Sequence, residues 1–452
     1  MRVLYSLIRD GSANVAIIFA LALVPLVFLV GVGVDYTVAA DRQAQLNAFA
    51  DAAVLAAVTP TMMAQSDSTA QAAAQNTFNA QANALSGVTY SANNLTVSVN
   101  TTAGGTRTAS VTYTAASPTF FSGILATSAI NLSGSSTAKA GLPPNIDFYL
   151  LLDSSPSMAI GATPTDIQSL INLTANENSA YQSCGFGCHE TNPSTNSGLD
   201  LYQVARNNNL TLRIDLVRQA AQNLMDTAQN TENTTNAQYR MGIYTFDVGF
   251  NKIQDPVTSD LSAAKTAAGN INLLEVYQNN WLTSTNNNSD TDTDFDNAFT
   301  NINTTMPNPG SGTNANGDTP QEVLFLVTDG VEDESVSKVH SSCPSLQASQ
   351  GNEISISGSS CRQQSLASIN PDWCTTIKNR GIRIAVLYTV YSPIPSNSWY
   401  TNHVSPFQSN IGPTLETCAS PGLYFAVQSG GDISAALSTL FELAVQSAYL
   451  AR

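Results

Sequence analysis

Twenty consecutive residues near the start of the chain, Val15 to Val34, carry no charged or strongly polar side chain. As a helix rising about 1.5 Å per residue they span roughly 30 Å, the hydrocarbon thickness of a bilayer. Pro25 lies inside the run, and a membrane helix tolerates such a kink where its neighbours satisfy the freed carbonyl. A cleaved secretory signal is the competing reading, because Arg2 and Arg9 give a basic start and Val38-Ala39-Ala40 a small-residue cleavage site. A signal's apolar core is ordinarily about 7–15 residues, shorter than this run. The run is therefore read as a retained anchor, transmembrane over 15–34. Arg2 and Arg9 precede it; Asp35, Asp41 and a single Arg42 follow it. The positive-inside bias leaves the N-terminus in the cytoplasm and the bulk of the chain outside, periplasmic or extracellular.

Charge and cysteine content agree with export. The 452 residues hold 17 Lys+Arg against 33 Asp+Glu, a net charge of -16. A nucleic-acid partner needs a basic stripe, and no cluster longer than Lys378-Asn379-Arg380 occurs, so nucleic acid is excluded as a partner. At 43% hydrophobic residues the chain can bury two or three cores. All six cysteines, Cys184, Cys188, Cys343, Cys361, Cys374 and Cys418, fall in the exported part, where an oxidising compartment pairs them. Six cysteines allow 15 connectivities. The sequence-local pairs Cys184/Cys188 and Cys343/Cys361, leaving Cys374/Cys418, are the economical expectation. Cys184 to His189 reads Cys-Gly-Phe-Gly-Cys-His, one residue longer than haem-attachment spacing. A small disulfide loop is the preferred reading, and a periplasmic redox or haem-bearing protein the alternative.

The pattern along the chain changes twice. Residues 1–60 read as the anchor segment, with Asp41 to Val58 continuing as an Ala-rich helix. Residues 61–141 read as a small helix-plus-strand region, pilin-like or a stalk: helix over 62–85, then alternating strands at Leu95–Val99, Ala109–Tyr113 and Ile130–Ser133. Gly141-Leu-Pro-Pro-Asn145 is a stiff hinge. From 146 to 450 apolar strands alternate with helices. Strands are expected at 146–153, 239–246, 323–328, 382–389 and 424–427, and helices near 212–224, 261–268, 293–306, 372–380 and 431–448. That order predicts a doubly wound α/β domain whose binding crevice lies at the carboxyl ends of its strands. Stretches near 159–210, 283–292 and 331–370, rich in Asn, Ser, Thr, Gly or Cys, are expected to be surface insertions.

Two strand ends concentrate oxygen donors. The first closes in Asp153-Ser154-Ser155-Pro156-Ser157 and a later one in Thr328-Asp329-Gly330. Hydroxyls and carboxylates are hard ligands suited to Mg²⁺, which takes about six oxygens and keeps some waters. Ser155 and Ser157 alternate along the loop, so their hydroxyls can converge on one ion. A plain strand-to-turn cap is the competing structural reading.

Together, D-x-S-x-S and T-D-G in this order resemble the von Willebrand factor A (VWA) domain, whose metal-ion-dependent adhesion site adds a threonine before an intervening helix. Thr293, opening Thr293-Asp-Phe-Asp-Asn-Ala-Phe299, matches that threonine best, with Thr291 and Thr319 as rivals. The resemblance implies Asp153, Ser155, Ser157, Thr293 and Asp329 as the metal set, with Mg²⁺, Mn²⁺ or Ca²⁺ as the ion. The whole chain resembles the TadG-like proteins of Flp/Tad (tight adherence) pilus assembly. Arg9-Asp10-Gly11, the apolar helix ending Gly33-Val34-Asp35, and Leu46-Asn-Ala-Phe-Ala-Asp-Ala-Ala carry this likeness, as do Leu212-Arg-Ile-Asp and the run from Leu324 to Asp333. It implies an inner-membrane, single-pass protein with pilus or envelope proteins as partners. Whether it self-associates or joins other subunits stays open. Five residues beyond Gly11 stands Ala16, where a pseudopilin carries glutamate.

Asp290-Thr-Asp292-Thr-Asp294 imitates the start of an EF-hand, but Phe295 occupies the position that needs glycine and Asn301 the last ligand position. It is expected to be a solvated acidic loop. No G-x-S-x-G elbow occurs, and three histidines give no nucleophilic triad. The expectation is a non-enzyme: an anchored adhesion or assembly protein that binds its partner through a divalent ion. A secreted soluble adhesin is the remaining alternative.

Overall fold

The computed structural model describes residues 11–450 apart from 103–104, 122–127, 142–143, 177–181, 187–189, 193–200, 236, 279–281, 286–289, 314–316, 340–341, 356–358, 367–371 and 429. The chain divides into two units, Met1–Leu142 and Pro143–Arg452.

The first unit is built on one long helix, Gly11–Ala57. Its apolar residues from Ile18 to Val30 are exposed on all sides, as a span bathed in lipid would be, and the helix is long and apolar enough to cross a membrane. Further on the helix becomes one-sided. Leu46, Ala50, Ala53, Val54 and Ala57 form a buried stripe against Ala70, Ala74, Phe78 and Ala82 of the helix Asp67–Ala84. Three antiparallel strands, β1 (Leu95–Thr101), β2 (Thr106–Pro118) and β3 (Ala129–Gly141), add Val97, Val111, Tyr113 and Leu132 to the same core. Asp35 is buried and accepts from the backbone N–H groups of Phe120 and Phe121 at 2.9 and 3.0 Å, so β2's exit is tied to the helix.

The second unit is the doubly wound α/β domain that the strand–helix alternation implies. Its sheet contains β4 (Ile146–Asp153), β5 (Tyr239–Phe246), β6 (Phe250–Thr258), β7 (Gln321–Thr328), β11 (Arg383–Thr389) and β12 (Tyr424–Val427), in the order β12-β11-β7-β4-β5-β6. All neighbours run parallel except β6, which is antiparallel to β5. The central strands are apolar over most of their length because both faces are covered. Alternate residues of β4 serve opposite cores: Phe148, Leu150 and Leu152 pack against the helices Arg213–Thr235 and Ile433–Leu450, Tyr149 and Leu151 against Phe295–Thr305 and Gln408–Cys418. No sequence signal marks β6, since its half-exposed pattern and Pro256 suit an edge strand and do not alternate.

The stretch 331–370 is more than a surface excursion. β8 (Val331–Ser337), β9 (Gly351–Ser355) and β10 (Ser360–Leu366) form a separate antiparallel sheet in the order β8-β10-β9. Cys343–Cys361 closes the loop beside it, and Cys374–Cys418 staples the helix Asp372–Asn379 to Gln408–Cys418, the two pairings expected from sequence. Cys184 is disulfide-bonded as well, while Cys188 and His189 lie outside the described residues. A sulfur held in a disulfide is not available for a haem thioether, which counts against the haem reading.

One cross-strand row carries unusual charge. Glu322 of β7 sits opposite Asp147 of β4, which sits opposite Arg240 of β5. Arg240 forms a two-point ion pair with Asp147. Burial first, and then the Asp147 charge, push the Glu322 carboxyl up to about 8. Native protein thus keeps a proton that the unfolded chain has already released, so stability falls as pH rises from about 4.5 to about 8. Glu322→Gln should remove this slope: in urea unfolding its advantage over the parent is expected to be small near pH 4.5 and largest above pH 8.

Candidate metal centre

β4 and β7 are adjacent, and the loops after both deliver a carboxylate to the same end of the sheet. Asp153 and Asp329 are fully buried. Asp153 Oδ1 accepts from Ser155 N–H at 2.9 Å and Ser155 Oγ at 2.6 Å, and its Oδ2 accepts from Thr328 Oγ1 at 2.6 Å. These bonds wrap the D-x-S-x-S loop into a short 3₁₀ turn, Pro156–Ala159, in which Ser155 Oγ lies 3.1 Å from Ser157 Oγ. Ser154 faces the other way, donating to Phe246 O and Asp247 Oδ2. Gly330 has φ +78°, and a Cβ there would come within 2.5 Å of Ile411. The T-D-G turn therefore needs glycine.

Asp329 is the least satisfied member. Its Oδ1 accepts a long bond, 3.4 Å, from Val331 N–H, its Oδ2 carries no hydrogen bond, and the Ser157 and Tyr391 hydroxyls interact with the carboxylate. Arg213 Nη1 approaches Oδ2 to 3.7 Å, while Arg213 Nη2 donates to Val390 O and the guanidinium lies over the Tyr391 ring. Burial first and the Asp329 charge second push the Asp153 carboxyl up to about 7. Burial raises Asp329 too, with Arg213 opposing it. Two apposed acids with shared hydroxyls and one loosely placed cation fit a divalent ion as the missing counter-charge.

Thr293 reaches this end of the sheet by backbone pairing. Its N–H donates to Asp333 O at 3.0 Å and its carbonyl accepts from Asp333 N–H at 2.9 Å, four residues after Asp329. Asp294 N–H donates to Asp247 O, joining the same segment to the end of β5. Ser157 and Thr293 line one cavity. Thr319 is at the opposite end of the sheet, where it precedes β7 and its carbonyl accepts from Gly312 N–H. Thr291 is buried two residues before Thr293.

The acidic stretch before Thr293 is not solvated, which corrects the sequence expectation. Asp290 and Asp292 are 5% and 7% exposed. Arg362 of β10, itself buried, pairs with Asp290, forms a two-point ion pair with Asp333, and stands 3.9 Å from Asp292. Trp399 covers the guanidinium at 4.9 Å. Arg362 thus takes the place that an EF-hand ion would have, and it clamps the Thr293 segment to β8. Arg213 entered the sequence reading only within Leu212-Arg-Ile-Asp, with no role at the site, and Arg362 not at all; Arg213 is buried at the start of an apolar helix face, and Arg362 lies in a stretch with no strand signature.

Among the described residues, carboxylate oxygens converge within 4.8 Å at Asp294, Glu332 and Glu334, on the opposite face of β8. Asp294 caps the helix Phe295–Thr305 through Asn297 N–H, and Glu332 accepts from Phe295 N–H, so backbone donors already serve this group.

No family model matches the chain, and no curated protein matches it. Solved structures do. The conserved hypothetical protein BatB from Bacteroides thetaiotaomicron is 13% identical, covers 67% of this chain and 100% of its own, and has a TM-score of 0.32. The vWF domain of the type V pili tip protein Mfa5 from Porphyromonas gingivalis is 10% identical over 68% of this chain and 98% of its own, with a TM-score of 0.37. Proximal thread matrix protein 1 from the mussel byssus, solved with a zinc-occupied MIDAS motif, is 13% identical over 67% and 46%, with a TM-score of 0.31. At these identities and scores the likenesses transfer no ligand or partner to this chain.

Replacing Arg362 by Met leaves three buried carboxylates facing one another. The expected loss is about 3–5 kcal/mol, read as a lower urea midpoint at unchanged slope.

Proposed function

We propose that this chain is a membrane-anchored, non-enzymatic binding protein of pilus assembly or adhesion, of the Flp/Tad type, which engages a protein partner through a divalent ion. The observation that carries the reading is the buried Asp153/Asp329 pair at adjacent strand ends, beside three hydroxyl-bearing residues and with Asp329 Oδ2 lacking a hydrogen bond. Ser155, Ser157 and Thr293 would hold the ion through their hydroxyls. Asp153 and Asp329 would act on it through water, Asp153 also orienting Ser155 by the two bonds it accepts. A bound Mg²⁺, Mn²⁺ or Ca²⁺ supplies a hard positive centre for a partner's carboxylate. A chain with 33 acidic and 17 basic side chains repels an acidic partner without such a centre.

The exposed apolar helix around 15–34 supports the anchor, with the N-terminus in the cytoplasm and the bulk of the chain beyond the membrane. Asp153→Ala should abolish Mg²⁺ and Mn²⁺ binding in calorimetry and chelator-sensitive capture of pilus or envelope proteins in cross-linked pull-downs. Its circular dichroism spectrum should stay unchanged. Metal affinity equal to the parent's in that variant would refute the site.

A further inference from the structure

The cavity that Ser157 and Thr293 line has a volume of about 330 Å³, far more than one hydrated ion fills, and its far wall is built by the small sheet. Arg362 and Gln364, two apart on β10, face it together with Asp333 of β8. Gln364 is 2% exposed, yet neither its Oε1 nor its Nε2 has a hydrogen-bond partner. Asp292 Oδ1, on the same cavity, lacks one too. Buried amide and carboxylate atoms left without partners are destabilising, and a protein retains them where a ligand completes them.

The charge of the lining says which ligand. Glu190, Asp290, Asp292 and Asp333 face the cavity, and among the described lining residues Arg362 is the only Lys or Arg. The excess is not arranged for a metal ion, because the carboxylates that converge among the described residues are elsewhere, at Asp294, Glu332 and Glu334, and Arg362 already engages Asp290 and Asp333. Spread acceptors in a cavity of this size suit an extended organic cation with several N–H donors.

We propose that this cavity receives a basic side chain, lysine or arginine, of the partner protein, an inference that rests on the partner-binding reading above. The ammonium or guanidinium donates to Asp292 Oδ1 and Gln364 Oε1 beside the Trp399 ring, and Gln364 Nε2 donates to a carbonyl of the same ligand. The small sheet thereby acts as a specificity wall next to the ion.

The test titrates the full-length chain in detergent with Nα-acetyl-arginine amide and Nα-acetyl-lysine amide. Nα-acetyl-norleucine amide and Nα-acetyl-glutamine amide serve as controls, each with EDTA and with Mg²⁺. Saturable binding of a basic probe, at least fivefold tighter than both controls and persisting in EDTA, is expected. Gln364→Leu should weaken it at least fivefold while leaving the thermal midpoint equal to or above the parent's. Asn402→Lys, a change at an exposed lining residue, should weaken it by placing a competing ammonium at the mouth. No saturable basic-probe binding, equal binding of either control, unchanged binding in the two variants, or a lower midpoint for Gln364→Leu would each overturn the proposal. Mg²⁺ titration of the same samples keeps the two readings apart: lost Mg²⁺ binding with basic-probe binding intact strikes only the metal site, and the converse strikes only the pocket.

Discussion

Two carboxylates buried side by side at the ends of adjacent parallel strands are the constraint around which the second unit is arranged. Asp153 and Asp329 have no solvent to screen them, and a buried charge is tolerated only when it is neutralised, paired or bound to a cation. Each local device at that end of the sheet answers this need. Ser155 and Thr328 donate to Asp153, Arg213 leans toward Asp329, and the left-handed Gly330 lets the chain turn without a side chain striking Ile411. The compensation is uneven: both oxygens of Asp153 accept hydrogen bonds, whereas Asp329 Oδ2 accepts none and faces Arg213 at 3.7 Å. An added divalent cation resolves that imbalance, which is why the same residues read as a metal centre.

A second charge assembly supports the first. Arg362 gathers Asp290, Asp292 and Asp333 and so fixes Thr293 against β8, next to the strand end it must serve. This explains why a stretch with the composition of a surface loop folds into a sheet: its polar residues are not solvated but paired inward. Such a network is costly to break and contributes more to geometry than to net stability. The same wall leaves Gln364 without partners, so the element that positions the ion's threonine also shapes the neighbouring cavity.

Much of this was legible in the sequence, and the boundary has physical causes. Strands such as Ile146–Asp153, apolar because both faces are covered, announced the doubly wound sheet, and D-x-S-x-S with T-D-G marked two strand ends that the fold makes neighbours. The Cys343–Cys361 pairing followed from sequence proximity, and Cys374–Cys418 was the pair that the local pairings left. Long-range ion pairing was invisible. Nothing local to Asp290-Thr-Asp292 reveals an arginine 70 or more residues onward, so an acidic run looked exposed when it is buried. β6 and the β8–β10 sheet were missed because edge and polar strands lack the period-two hydrophobic signal.

The central claim is that a divalent ion belongs with the hydroxyls and acids of the β4 and β7 ends and not with the neighbouring acidic group. Anomalous scattering from crystals of the chain grown with Mn²⁺ decides it directly. The account requires an anomalous peak within bonding distance of the Ser155, Ser157 and Thr293 hydroxyls, with Asp153 and Asp329 in its second sphere. A peak between Asp294, Glu332 and Glu334 with none at the strand ends, or no peak at saturating Mn²⁺, would contradict it.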